Sequence, residues 1–491
     1  MYRCSRPGII IVLIATMALI GTACSESTES GASAPTTEAS GSATTGSTDT
    51  GETAQTETDG TSDTAESDEA DRLARTMEFL GDYADQLGEV PPMTDPDADT
   101  IVGRWAGQPW FIGDVPDTPV AAEGESIKIG MINQENEVFG DFPELRQAAA
   151  AAVEWVNAEL GGVGGRPLEL LACNTNFSPE EARQCALDHV REGVVAVTSG
   201  INISSADAMA VYEENDIPLL GGIPVNDIDM TSEIAHQWSG GTAGMFSAWS
   251  YYAAEELGAE KIVMAVGDFA PNVAAAEDFG RPVAESFGAE VEVIKFPLTE
   301  TDYGPTMNKV AELNPDAAFI AVVDTGCIAS VQAANAVGLD IPLFFSGACA
   351  SPDIEEQLGD EIDGAIFAIE SIIETDEPEI DRSLYFDVVS TYGEEGMELV
   401  GAGTVSVKSI MNIWDLMNEL GPDDVTPATL TELVGQSQER TSFMGYPYTC
   451  DGQQMPDLPA VCSPQQVLIQ NSGGDLVQLS DGWIDVAALF G

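Results

Sequence analysis

The chain has 491 residues, 44% of them hydrophobic, enough for more than one globular unit with its own core. Its 83 Asp+Glu against 17 Lys+Arg give a formal charge of −66, a surface that repels nucleic acid and anionic lipid and excludes both as direct partners. Such acidity says nothing about fold, but it fits a protein that stays soluble outside the cell.

Arg3 and Arg6 precede an apolar run from Ile9 to Ile20, broken by Thr16. The run is shorter than the ~20 residues a membrane-crossing helix needs and has the form of a secretory signal core. Gly21-Thr22-Ala23-Cys24 follows and resembles the lipobox of bacterial lipoproteins, with Gly21 standing where that motif usually has leucine. The resemblance implies removal of residues 1–23 and diacylglycerol on Cys24, anchoring the chain outside the cell membrane. Plain secretion is the alternative. Residues 24–70 then read as a tether, rich in Ser, Thr, Gly and acids and without Lys, Arg or aromatic residues. Its expected reach is ~35–40 Å, at ~5–6 Å per square root of residue number.

Residues 71–125 form a prelude to the main body. Leu73, Met77, Leu80, Tyr83 and Leu87 share one helical stripe. "VGRWAGQPWFIGDVPDTPV", with Trp105, Trp110 and Phe111, reads as an ordered loop. Together they suggest a collar packed on the body, dispensable for ligand binding and modestly stabilising. Docking of a membrane partner is the alternative.

From Ile127 onward, short apolar strands alternate with amphipathic helices. "IKIGMI" precedes a helix over 143–160, and "LELLAC" one over 178–190, with Ser178 as N-cap and Pro179 as its first residue. "VVAVTSG", a helix over 204–214, "IPLLGG" and a helix near 242–257 continue the series. The cycle restarts with "KIVMAVGD", "EVEVIKF", "AAFIAVVD" and "IPLFFSG", separated by helices over 271–287, 303–313 and 327–337. Strands alternating with crossover helices predict parallel sheets covered on both faces, and two such runs predict two α/β lobes.

"IKIGMINQEN", "NAELGGVGGRPLEL", "VVAVTSGINISSADAMAVYEENDIPLLGG" and "IPLFFSGACASPDIEEQLGDEIDGAIF" resemble type I periplasmic binding proteins. The resemblance runs over roughly 127–480, to the leucine/isoleucine/valine-binding class of ABC-importer solute receptors. It implies an α/β fold of two parallel-sheet, Rossmann-like lobes joined by three crossings. By analogy, the domain at 126–491 divides into a first lobe of about 126–244 and 372–465, and a second of about 245–371 and 466–491. The implied function is delivery of a small polar molecule, an amino acid, amide or related compound, to an ABC permease by lobe closure. The implied receptor is a monomer without cofactor or metal, touching the membrane only through its anchor.

In open α/β sheets, ligands sit beyond the carboxyl ends of the strands, where helix N-termini offer free N–H groups. Phe139, Asp268 and Thr325 fall at such ends. In the family, the loops matching Gly200–Ser205 and Gly222–Asn226 hold a ligand's carboxylate and ammonium, which nominates Asn202, Ser204, Pro224, Val225 and Asn226. Asn202 replaces a family serine, Val225 a threonine, Asn272 or Pro271 a tyrosine, and Cys349 an ammonium-binding glutamate. Glu135, Asp268 and Asp324 flank the cleft as acids that could meet an ammonium, although Asp324 also suits a helix N-cap. The missing hydroxyl and carboxylate argue against a simple leucine receptor. Asn202→Ala is expected to abolish binding and leave the fold intact.

Cys4 leaves with the signal, so six cysteines remain besides Cys24. An oxidising compartment invites disulfides; six cysteines allow 15 pairings. Proximity favours Cys173 with Cys185, Cys327 with Cys349, and Cys450 with Cys462. A metal centre has little support, with no C-x-x-C and only His189 and His236. His189, on a surface-like helix, and His236, beside a strand, both read as structural. A lipid-anchored hydrolase would need an activated serine, and there is no G-x-S-x-G elbow. "GGVGGR" lacks the P-loop lysine and follows a helix, so it is a turn. A ligand sensor of the same fold stays open beside the transport reading.

Overall fold

A computed structural model describes residues 93–136, 140–322, 325–371, 380–397 and 401–490. Cys24, the tether, the stripe from Leu73 to Leu87, and Phe139 and Asp324 lie outside them. Among the described residues, no helix is long and apolar enough to cross a membrane.

Five strands form the first sheet: β1 (Ile127–Asn133), β2 (Leu168–Asn174), β3 (Ala196–Ser199), β4 (Leu219–Leu220) and β5 (Ala235–His236). Their order is β2-β1-β3-β4-β5, and every pair is parallel. β1 is buried along nearly its whole length, as a central strand with helices on both faces must be. Helices Pro143–Glu159, Pro179–Glu192 and Ser205–Glu214 make the crossovers. Ser178 caps the second by accepting a bond from Glu181 N at 3.3 Å, Pro179 opens it, and left-handed Gly193 ends it.

That helix turns His189 inward, although the sequence suggested a surface position. The ring is buried, bonded to Tyr212 Oη and Leu171 O at 2.8 Å each, and burial lowers its pKa. Gly130 on β1 makes room for it, since a Cβ there would come 2.7 Å from His189 Nδ1.

The second sheet contains β6 (Lys261–Gly267), β7 (Glu290–Phe296), β8 (Ala317–Ala321), β9 (Leu343–Ser346), β10 (Ile366–Ile369), β11 (Val467–Ser472) and β12 (Asp475–Gln478). Their order is β7-β6-β8-β9-β10-β11-β12, parallel through β10 and antiparallel after it. The chain passes between the sheets three times. It leaves the first after β5, and returns after β10 as helices Asp381–Tyr392 and Gly403–Leu420, which pack on Pro143–Glu159. It crosses again to enter β11. The return is fixed by close contact: a Cβ at Gly403 would come 3.1 Å from Ala148 Cβ, and Trp414 Nε1 donates to Gly162 O at 2.7 Å.

The collar is more regular than a loop. Ile101–Trp105 is a short helix, and Pro109–Trp110 pairs with Gly113–Asp114 as a two-stranded ribbon. The helix forms because distant groups satisfy its first N–H donors. Glu159, at the end of another helix, accepts from Ile101 N at 3.2 Å and Val102 N at 2.7 Å. Trp110 packs edge-on against Trp155, and Phe111 against Phe443.

All three cysteine pairs are bonded: Cys173–Cys185, Cys327–Cys349 and Cys450–Cys462. Closing loops this short stabilises by about 3 kcal/mol each in the chain-entropy model.

Candidate ligand-binding site

A cavity of about 470 Å³ lies where the strands of both sheets end. Parallel strands with crossover helices put all their carboxyl ends on one edge, so loops from both sheets converge there. Ile201, Ile223 and Val225 come from the loops after β3 and β4, and Phe269 and Asn272 from the segment after β6. Leu298 follows β7, Val322 follows β8, and Gly347 and Ala348 follow β9. Phe142, at a helix start, and Phe246, midway along the helix Gly241–Tyr251, complete the aromatic wall, and Phe386 comes from the returning helix. Phe177 adds a ring from an unfavourable backbone position, φ 55°, in the left-handed region that bulky residues avoid.

Polar groups in the wall are fewer. Burial pushes the Tyr303 phenol up to about 12, with Glu300 adding to the rise, so it faces the cavity as a neutral donor. Thr242 Oγ1 is buried and has no partner among the described residues. Arg382 is the one cationic side chain in the described lining, and Glu370 and Glu300 are the acids.

Of the residues nominated from the sequence, Val225 and Asn272 share this wall. Asn202, Ser204, Pro224 and Asn226 sit behind it, and the two asparagines serve their own loops. Asn202 Oδ1 accepts from Thr175 Oγ1 at 3.0 Å and Ser204 N at 3.1 Å. Asn226 Nδ2 donates to Asn202 O and Ser205 Oγ, both at 2.8 Å. Glu135 is ion-paired with Arg146 at 2.8 Å, and exposed Asp268 lies 3.4 Å from Lys295. Cys349 is buried in its disulfide, and Thr325 opens the helix Thr325–Val337.

His236, Cys450 and Cys462 bring their ligand atoms within 4.8 Å of one another. The two sulfurs are bonded to each other and offer no thiolate, so the cluster does not fit a metal.

Residues 126–455 match the periplasmic binding protein family model. The chain belongs to the periplasmic binding protein family. Leu/Ile/Val-binding protein homolog 6 of Brucella abortus (strain 2308) is 25% identical over 209 residues, 40% of this chain and 51% of the relative. The chain thus spans about half the length of the curated relatives it matches. A fatty acid ABC transporter substrate-binding protein from Thermomonospora curvata superposes with a TM-score of 0.62 at 16% identity, covering 76% of this chain and 97% of that one. A solute-binding protein from R. palustris, in complex with 4-hydroxybenzoate, gives 0.61 at 19% identity over 73% and 97% of the two chains. At these identities the likeness carries the fold, that of a type I binding protein with two lobes.

Beneath the wall, this binding protein carries a titratable group that its sequence did not single out. Burial pushes the Asp229 carboxyl up to about 6, despite hydrogen bonds from Ser205, Asn226 and the Val225 backbone. Between about pH 4 and 6, the native chain holds this proton while the unfolded chain, at 3.8, has lost it. The residue's contribution to stability therefore falls as pH rises through that window. Urea titrations are expected to show Asp229→Asn gaining on the wild type by up to about 3 kcal/mol from pH 4 to pH 7. A pH-independent difference would show that the carboxyl is not desolvated.

Glu370, Arg382 and the aromatic wall were also missed. Lys408 did leave a signal: a lone charge between Val405, Val407, Ile410 and Met411 in a helix segment without other charges asks for a buried partner.

Proposed function

We propose that this periplasmic binding protein is the extracytoplasmic solute receptor of an ABC importer, tethered through lipid on Cys24, and that its solute has a largely apolar body. One observation carries the reading of the ligand: the cavity is walled mostly by aromatic and aliphatic side chains, and of the polar residues expected to grip a zwitterion only Asn272 is in the described lining, while Asn202, Ser204 and Asn226 are not. Of the small polar or amphipathic solutes expected from the sequence, this favours the amphipathic ones. Arg382 suits a single carboxylate at one end of it. Fold neighbours described by a fatty acid and by 4-hydroxybenzoate support the same class.

In this reading, residues 126–244 with 372–465 and 245–371 with 466–491 act as the two lobes. A ligand touching both favours the closed arrangement by its additional contacts there, and the closed face is what a permease recognises. The test is a thermal-shift screen followed by calorimetry, comparing octanoate and 4-hydroxybenzoate with leucine, isoleucine and valine. A ligand at a hundred times its Kd adds ~2.7 kcal/mol of stability, so a true ligand is visible. An acid is expected to bind and the amino acids to fail. Micromolar binding of leucine would overturn the ligand class.

A further inference from the structure

Glu370 stands directly after β10, on the second of the three crossings, and its carboxylate gathers the other two. Ser239 Oγ donates to Oε1 at 2.6 Å and Gly240 N at 3.1 Å, both from the first crossing. Gln466 Nε2, from the third, donates to the same oxygen at 3.0 Å. Oε2 is paired with Lys408 Nζ at 3.0 Å, on the helix Gly403–Leu420. The side chains are 14% and 4% exposed, so the pair is shielded from water. The first and third crossings also touch here, since a Cβ at Gly240 would come 2.7 Å from Pro464 O. Ser239, Glu370 and Gln466 all face the cavity.

We propose that Glu370, held by Lys408, is the positioning residue of the hinge: one carboxylate at the cavity wall fixes the three crossings relative to one another. Charge-assisted hydrogen bonds are short and strong, and stronger still away from water. Lobe motion that alters the spacing of the crossings has to exchange these bonds, so the pair sets which spacing is favoured. The same contacts leave the Glu370 charge already matched by Lys408. The inference rests on the two-lobe receptor reading but not on any ligand class, and its test is made without ligand.

Hydrogen exchange followed by mass spectrometry on the full-length, ligand-free chain provides that test. Glu370→Gln and Lys408→Met are each expected to speed exchange at least tenfold in peptides from all three crossings, around 236–241, 369–371 and 464–467. Peptides from the core strands β1 and β6 are expected to keep wild-type protection. The double variant, which leaves neither charge alone, should recover part of the loss. Glu370→Gln keeps the side chain's shape, and so remains informative if Lys408→Met does not fold. Acceleration confined to the substituted segment, acceleration spread equally into β1 and β6, or no acceleration would each overturn the proposal.

Discussion

Arg104→Ala is expected to destabilise the protein by about 3–5 kcal/mol in a urea titration, the cost of leaving a buried charge without its partner. Arg104 and Asp387 are 3% and 0% exposed, and they meet as a two-pronged pair: Nε to Oδ2 at 2.8 Å and Nη2 to Oδ1 at 2.6 Å. Trp105 Nε1 adds a bond to Oδ2 at 2.8 Å. Without the guanidinium, the Asp387 carboxylate keeps only neutral donors in a site that water cannot reach. Arg104→Lys should recover part of the loss, because an ammonium keeps the charge but not the fork. A loss below about 1 kcal/mol would mean that the carboxylate is hydrated or protonated once the arginine is gone. The same contacts bear on the collar. A chain starting near Glu123 would strand Asp387 and free Glu159 of its two N–H donors, a larger cost than the modest one the sequence suggested. Ligand affinity should change less than stability, since Trp105, Trp110 and Phe111 lie outside the cavity lining.

Val225→Asp is expected to weaken binding of an apolar acid at least a hundredfold, which corresponds to ~2.8 kcal/mol at 1.4 per tenfold change. Val225 contributes to the apolar wall, and its backbone N–H already points to Asp229 Oδ2 at 3.4 Å. A second carboxylate there must be stripped of water when ligand enters, and it would repel an anionic ligand as well. Val225→Ala, which removes area without adding charge, should cost tenfold or less. Calorimetry with octanoate or 4-hydroxybenzoate, whichever the screen selects, reads the difference. Equal affinity of Val225→Asp and wild type would remove this residue from the site. Asn202→Ala carries a different expectation: Ser204 N would lose its acceptor and Thr175 Oγ1 would keep only Asn133 O, so stability should fall by about 1–3 kcal/mol rather than stay intact.

The parts of this protein that its sequence determined are those fixed by neighbours along the chain. Short apolar runs placed the strands, which are covered on both faces, and helical spacing placed the helices, because each pattern is set by neighbours along the chain. Ser178-Pro179 marked a helix start because an N-cap acts within three residues. The cysteine pairs were legible because each closes a short loop, 12 or 22 residues apart. Tertiary structure alone decided which side chains face the cavity. Asn202 and Asn226 looked like ligand groups, but backbone and hydroxyl groups of the turns that carry them take up Asn202 Oδ1 and Asn226 Nδ2, while Asn202 Nδ2 is buried with no partner among the described residues. Arg104 meets Asp387 across 283 residues, and Glu370 meets Ser239 and Gln466 across 131 and 96. No local period records such distances. A buried charge has to find its partner wherever the fold brings one, so the hinge and the cavity wall exist only once both sheets have been assembled.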